Sequence, residues 1–554
     1  MGDTDSSRHD APASSAGPSA APRSILANVR LVSLCTLLSR VLGLVREMAM
    51  AWLFGAGAVS DAFTLAFRIP NLFRQLLGEG ALTTAFLPRF VQDLQQSGPE
   101  SARRLSSGVL VILGGLLLAI VATAEAGIGA ALLLGEWSDR TRLMLQLLAI
   151  LVPYLFVICL SAQLCAVLQS LRQFLWPALI PVLLNLAWIV SACIAPWTST
   201  DSNVRVQLVA AGVVAGGIVQ LAVPYFVLGR AGFSFTSQWK EATPRVREVF
   251  RAMVPVIAGV VLSQLNTLTD TILAWWLSGP GSAAGTAEAA SRLDAGTASA
   301  LYYAHRLLQF PLGVFGVALG TVLFPVLTSH AKRGDGEGFR RELGHGLEMA
   351  LAIGIPASLA LVYLAEPLSR VLFQRGNFDA RDAALTARMI AGYGAGVWAL
   401  IALLILNRGF YALEDRMTPI RVGSLCVAVN LGLSLAMVFS IGGHGLAWAT
   451  SLTAISQLGI TILVLHRKVG GIPWGSVVGV LGRTLPAAVL MLLACEAVRR
   501  VLARGNVPPA LALFLTCAGG GAAYLVAATL TGLKHPWELL RPSRRSERLP
   551  VSEI

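Results

Sequence analysis

Apolar stretches long enough to cross a bilayer recur from one end of this chain to the other. A helix rises about 1.5 Å per residue, so about 20 apolar residues span the hydrocarbon. Fourteen stretches meet this length, at roughly 25–54, 60–92, 105–134, 144–172, 178–196, 206–228, 247–277, 297–329, 342–365, 383–412, 419–440, 445–466, 475–498 and 508–532. They are solidly apolar rather than alternating. In lipid the backbone must satisfy its own polar groups, so this pattern predicts helices, not barrel strands. Composition agrees: only 13% of residues are charged, against about 25% in a soluble domain. The expected fold class is all-α, a polytopic membrane protein with 14 transmembrane helices.

The net charge of +13 raises nucleic acid as a partner, but its placement argues for topology. With the N-terminus inside, the inward loops and ends hold more than twice the Lys and Arg of the outward ones. That is the positive-inside bias, and it places both termini in the cytoplasm. No nucleic-acid partner is expected. The seven cysteines form no CxxC pair, which predicts neither disulfide nor metal site. Residues 1–24, rich in Ala, Pro and Ser, read as a disordered tail. Residues 534–554 read as a cytoplasmic tail whose basic cluster suits anionic headgroups.

A weak internal duplication organises the spans. "LSRVLGLVREMAMAWLFG…DAFTLAFRIPNLF" opens the first half, and "LSQLNTLTDTILAWWLSG…SALYYAHRLLQFP" opens the second. Each leads into a span with an embedded arginine, Arg68 or Arg306, followed by Pro88 or Pro325 at nearly equal distance. Two pseudo-symmetric six-helix lobes are expected, 25–245 and 246–468, with two additional C-terminal helices in 469–533. Repeated lobes are common in transporters, whose substrate lies between them near mid-membrane.

Charges inside the membrane are the next constraint, because each costs at least about 2.5–3.5 kcal/mol at the bilayer centre. Arg40 and Arg46 lie in span 1, Arg68 and Arg74 in span 2, and Arg306 in span 8. On an ideal helix Asp61, Arg68 and Glu79 share one face, and Ser39 shares one with Arg46. Pro70 is expected to kink span 2, with Gly78 and Gly80 adding freedom. Internal pairing with Asp61, Glu79 and Glu47 would account for three of these charges and leave cations in surplus. Such a surplus favours an anionic substrate, and the planar guanidinium fork suits phosphate oxygens.

The stretch "LSRVLGLVREMAMAWLFGAGAVSDAFTLAFRIPNLFRQLLGEGALTTAFLP" closely resembles the opening of the MurJ (MviN) family of lipid II flippases. That family belongs to the multidrug/oligosaccharidyl-lipid/polysaccharide exporter superfamily. "YYAHRLLQFPLGVFGVALGTVLFPVLT", "LFQRGNFDARD" and "GFYALEDRMTPIRV" extend the resemblance to about residues 25–530. The resemblance implies a bacterial inner-membrane protein with a central cationic cavity. Its substrate would be lipid II, an undecaprenyl-diphosphate-linked disaccharide pentapeptide, moved to the outer leaflet by alternating access. It carries essential positions onto Ser39, Arg40, Arg46, Asp61, Arg74, Glu79 and Arg306, with Arg68 where relatives hold Lys or Arg. The four arginines 40, 46, 74 and 306 would bind the diphosphate. Asp61 and Glu79 would pre-orient arginines and hold the outward gate. A lipid-tail groove is implied along spans 13 and 14, and association with the cell-wall synthesis machinery is a further implied partnership.

His305 and Gln309 depart from the family, whose members often carry acidic residues there. Some relatives bind sodium in the second lobe. Asp270, Asn430 and Thr450 stand in comparable regions, open between a cation site and helix-packing polar groups. No cofactor is expected; sodium or the membrane potential are the candidate coupling sources. A flippase of another polyprenyl-linked oligosaccharide fits the same charges, whereas a multidrug exporter of cationic drugs would favour cavity carboxylates. An enzyme is disfavoured by the lack of a Walker A loop, an HExxH or an acidic metal cluster. His330, His345 and His444 read as isolated. "EPLSRVLFQRGNFDARDAALTAR" is expected outside, as a gate or a cap.

Overall fold

The computed structural model describes residues 21–278, 293–533 and 535–540, without side chains at 21–30, 78–81, 262–263, 317 and 538–540. Among the described residues every regular element is helical. The tail expected over 1–24 lies outside them up to residue 20, but from Ala21 onward the chain is already helix α1. At the other end 541–554 lies outside, and a short helix follows the last span.

The elements are α1 Ala21–Phe54, α2 Ala58–Phe73, α3 Thr83–Gln96, α4 Gly98–Leu134, α5 Asp139–Ser170, α6 Leu175–Thr198 and α7 Ser202–Arg230. Then come α8 Thr243–Leu277, α9 Thr297–Pro311, α10 Val317–Lys332, α11 Gly336–Tyr363, α12 Ala365–Phe373, α13 Ala380–Gly394 and α14 Val397–Ala412. The last five are α15 Met417–Ile441, α16 His444–Val469, α17 Trp474–Ala503, α18 Pro509–Leu530 and α19 His535–Leu540. Taking α2–α3, α9–α10 and α13–α14 as single units gives a long helical unit for each of the fourteen predicted stretches. Eleven are long and apolar enough to span a membrane by that test alone, and α8, bent by 48°, makes a twelfth. The remaining two, α1 and α2–α3, carry four of the five intramembrane arginines, Arg40, Arg46, Arg68 and Arg74, while Arg306 lies on α9.

Short polar caps end the helices where the chain turns. Asp201, Asp335 and Asp379 each accept a backbone N–H in the first turn of α7, α11 and α13, at 2.9, 2.8 and 2.8 Å. The kink expected at Pro70 is displaced. α2 runs through that residue, and the hydrogen-bond ladder widens later, in a π-helical segment at Arg74–Leu82. A second π segment, Leu312–Gly316, follows Pro311 between α9 and α10. A π turn advances fewer degrees per residue than an α turn. The single face predicted for Asp61, Arg68 and Glu79 therefore does not carry past Arg74.

Two large apolar cores form, one from residues between Met50 and Met253 and one from residues between Ala274 and Val477. A smaller cluster of Ala51, Ala56, Tyr303, Phe373, Phe378 and Ala383 draws on both halves. α17 and α18 pack on each other, and α17 also packs on α11.

Candidate functional site

α1 brings Ser39, Arg40, Arg46 and Glu47 to one cavity of about 400 Å³, which α2, the first π segment, α5, α6, α7 and α9 complete. Arg74 enters it from the π segment and Arg306 from α9, so four of the five predicted arginines line one space, together with Ser39. Glu47 is the single carboxylate among the described lining residues. The rest of the wall is neutral, including Asn71, Asn185, Gln220, Gln309 and Tyr154.

Arg46 and Glu47 are buried, at 6% and 2% exposure. Arg46 contacts Glu47 directly, donates to Asn185 Oδ1 at 3.1 Å and to the Tyr302 hydroxyl at 3.4 Å, and lies 4.3 Å over the Trp188 ring. Arg306 approaches the same Glu47 at 3.4 Å and donates to the same Tyr302 hydroxyl at 3.0 Å. Tyr302 in turn donates to Glu47 at 2.9 Å. One carboxylate and one phenol thus bridge guanidinium groups from α1 and α9. Arg74 donates to Asn71 Oδ1 at 3.1 Å. Arg40 lies against Gly313, where an added Cβ would meet both terminal guanidinium nitrogens at 2.8 Å. Gln309 lines the cavity and accepts from Arg306 at 3.2 Å, whereas His305 packs 5.7 Å from the Tyr393 ring.

Asp61 lies away from this cavity. It is fully buried and accepts from the Gly296 and Ser299 amides at 2.8 and 2.7 Å and from the Ser299 hydroxyl at 2.9 Å. Arg140 stands 3.6 Å away. Its carboxylate therefore caps the N-terminus of α9, where unpaired amides and the helix dipole favour an anion. Its cationic neighbour here is Arg140, a residue that sequence reasoning did not single out, and not one of the cavity arginines. Arg68 also lies off the cavity lining, within electrostatic reach of Tyr393, Tyr302, Arg306 and Asp270. The Glu79 side chain lies outside the described residues.

Around Asp61 the two halves close on each other. Ala56 N donates to Asp382 at 2.8 Å, Asn377 N to Trp52 O at 2.9 Å, and Asn377 Nδ2 to Leu53 O at 2.6 Å. The Ser60 and Tyr303 hydroxyls meet at 3.3 Å. Gly296 has φ 93°, and a Cβ there would meet Ala56 O at 1.9 Å, so only glycine fits this close approach. Within the 366–388 stretch, Asn377 and Asp382 thus dock on the α1–α2 turn and join the two halves. Arg46 lies eight residues, or about 12 Å of helix, from Phe54 at this seal.

In the second half, Asp270 accepts from Ser434 and Thr450, both at 3.1 Å. Asn430 instead donates to Thr453 at 3.4 Å, leaving its own Oδ1 buried without a partner among the described residues. Asp270 and Thr450 therefore meet, and Ser434 joins them where sequence reasoning had named Asn430. An apolar groove of about 740 Å³ runs between α11, α14, α16 and α17, bordered by Trp398, Trp448 and Trp474. Span 13 contributes to it and span 14 does not.

Sequence reasoning had counted Glu47 as an intramembrane charge able to pair with arginines; it missed Tyr302, Asn185 and Arg140. These three carried no such signal, because an aromatic, an amide and a basic residue near a span's end are ordinary in membrane helices.

The family model described as lipid II flippase MurJ matches residues 50–512. A Haemophilus influenzae protein named probable lipid II flippase MurJ is 34% identical over 442 residues, 76% of this chain and 83% of that one. A Burkholderia cenocepacia protein named lipid II flippase MurJ is 34% identical over 446 residues, 79% of this chain and 83% of that one. Among solved structures, a lipid II flippase MurJ in an inward closed conformation superposes with TM-score 0.73 at 23% identity, covering 92% of this chain and 100% of that one. An inward-facing multidrug resistance MATE transporter superposes with TM-score 0.61 at 13% identity, covering 77% of this chain and 94% of that one. The structural likenesses are of fold, which the two kinds of transporter share; the extended sequence match separates them, and by it this chain belongs to the MurJ family of lipid II flippases.

Proposed function

We propose that this protein moves lipid II from the inner to the outer leaflet of the bacterial cytoplasmic membrane, holding the diphosphate in the arginine-lined cavity. The observation that carries the reading is the gathering of Arg40, Arg46, Arg74 and Arg306 around Glu47, the single carboxylate among the described lining residues. A guanidinium offers paired N–H donors to phosphate oxygens, and its charge is worth more where water is scarce. The sugars and peptide occupy the hydrated cavity while the polyprenyl tail stays among lipids. The headgroup crosses without any bond being made or broken, so the protein acts as a transporter and not an enzyme.

Release requires that the arginines have somewhere else to turn. Glu47 and the Tyr302 hydroxyl already bridge Arg46 and Arg306, so an incoming diphosphate competes with them and a departing one leaves them paired again. Asp61, through the α9 N-terminus and Arg140, holds the outward gate. Both termini lie in the cytoplasm, which makes the end around Asp61 the outer one.

Reconstituted vesicles test this. Labelled lipid II in one leaflet should become accessible in the other, chemically unchanged, in the presence of the wild-type protein. Arg40→Ala, Arg74→Ala and Arg306→Ala should each slow the transfer at least about tenfold, the weight of one charge-assisted contact. Wild-type transfer by all three variants would remove the arginines from the site. Export of cationic drugs without lipid II transfer would favour the multidrug reading.

A further inference from the structure

His345, isolated in the sequence, is not isolated in the fold. His345 and Glu348 stand three residues apart on one face of α11, and His535, the first residue of α19, is brought against them. His535 Nε2 lies 3.1 Å from Glu348 Oε2, His345 Nδ1 lies 3.9 Å from the same oxygen, and the imidazole rings are 5.2 Å apart. The three donor atoms all fall within 4.8 Å of one another.

We infer that these side chains form a binding site for a divalent transition-metal ion, Zn²⁺ foremost, which clips α19 to α11. Three observations carry this. Glu348 is buried, yet its ion-pair partners among the described residues are two imidazoles, neither of them a permanent cation. A buried carboxylate needs positive charge close by, and a divalent ion supplies it. Second, His535 Nδ1 is buried without a hydrogen-bond partner among the described residues. A half-turn of that imidazole lets either nitrogen face the ion. Third, a cleft of about 750 Å³ lined by His345 and Glu348 reaches the site between the first half of α11 and the 470–473 turn that leads into α17. It gives an ion a way in and leaves a fourth position for water.

Two imidazoles with one carboxylate suit Zn²⁺ and its first-row neighbours rather than Mg²⁺ or Ca²⁺, which prefer oxygen. A tetrahedral ion with ligands at about 2.0–2.2 Å needs donors closer together than the widest separation here. Rotation of the half-exposed His345 side chain closes that gap. Arg340 and Arg341 line the same cleft and oppose a cation, while Glu337 and Glu342 offset them. The site lies apart from the arginine-lined cavity and shares no lining residue with it.

The full-length protein, purified in detergent with any affinity tag removed and stripped by a chelator, is titrated with Zn²⁺ by calorimetry and with Co²⁺ by visible absorption. One equivalent should bind with low-micromolar affinity or tighter, and bound Co²⁺ should show the intense bands of four- or five-coordinate geometry. His535→Ala, Glu348→Gln and His345→Ala should each weaken binding at least about tenfold. His444→Ala, remote from the cluster, should leave it unchanged. If His535→Ala or Glu348→Gln does not stay monodisperse, His345→Ala at the half-exposed position decides. Zn²⁺ should raise the melting temperature of the wild type and not of that variant. No saturable binding by the wild type would overturn the assignment, as would undiminished binding by the triple variant.

Discussion

Arg46 reaches Asn185, Tyr302 and Glu47 at once, and Arg306 turns to the same Tyr302 and Glu47 from the other half of the molecule. Glu47 is therefore the internal rival of any anion entering the cavity. Glu47→Gln keeps the shape and removes the rival charge. A soluble diphosphate headgroup analogue should then bind more tightly, about tenfold for each 1.4 kcal/mol of relieved competition, while release, and with it turnover in vesicles, becomes slower. Calorimetry and the transfer assay read the two effects separately. Weaker binding by Glu47→Gln would mean that Glu47 orients the arginines instead of competing for them. Tyr302→Phe removes only the shared hydroxyl, and the same measurements should show a smaller effect, because Arg46 keeps Asn185.

At the scale of elements, the closed end depends on how tightly α9 meets the α1–α2 turn. Gly296→Ala must displace Ala56 O, which stands 1.9 Å from the added carbon, so the two halves must separate there. Hydrogen exchange over 55–61 and 377–382 should speed up in this variant, with no change over α4–α7. On another loop, burial alone would raise the Asp415 carboxyl, but hydrogen bonds from Lys468 and Thr418 outweigh it and pull it down to about 2. A depressed carboxyl stabilises the fold above its unfolded value of 3.8 and loses that contribution as pH falls toward 2. Asp415→Asn should therefore lower the melting temperature at pH 7 and have little further effect near pH 2. What the sequence made legible follows the same division. The spans and the inward arginines were readable because hydropathy and misplaced charge are local properties. The Arg46–Tyr302 contact joins residues 256 apart, and the Asp61–Ser299 contact joins residues 238 apart. Such pairings depend on which faces meet across the halves, and no local pattern encodes that. The π segments were hidden as well. Pro70 and the nearby glycines announced an irregularity, but the one-face prediction for Glu79 assumed an α ladder that changes pitch at Arg74.

Across the whole molecule, the seal and the cavity are stacked along the same helices. α1 carries Arg46 in the cavity and Trp52 and Leu53 in the seal, and α9 carries Ser299 in the seal and Arg306 in the cavity. A rigid tilt of α9 that opens the seal must also move Arg306 relative to Arg46, so on the proposed function headgroup binding and gating would be one motion. Substrate can drive such a motion only by binding the two arrangements differently, and on the proposed function the shared Glu47 and Tyr302 would provide that difference. Asp61 ties α2 to the N-terminus of α9 and faces Arg140 on α5, and on the proposed function it would set the resting balance. Asp61→Asn keeps the shape but gives up the anion at a helix N-terminus and next to a guanidinium. At about 1–3 kcal/mol for such a buried charged contact, the ratio of closed to open molecules should fall by roughly five- to 150-fold. Spin labels at Gly57 and Ala380, on opposite sides of the seal, read this directly. The wild type should give one short, narrow distance, and Asp61→Asn should add a longer component. Arg140→Gln should produce a smaller shift in the same direction, because the Gly296 and Ser299 amides still hold the carboxylate. If both variants keep the wild-type distance and still support growth when the native protein is depleted, the seal is held by apolar packing around Tyr303, Phe373 and Phe378, and the gate must be sought there.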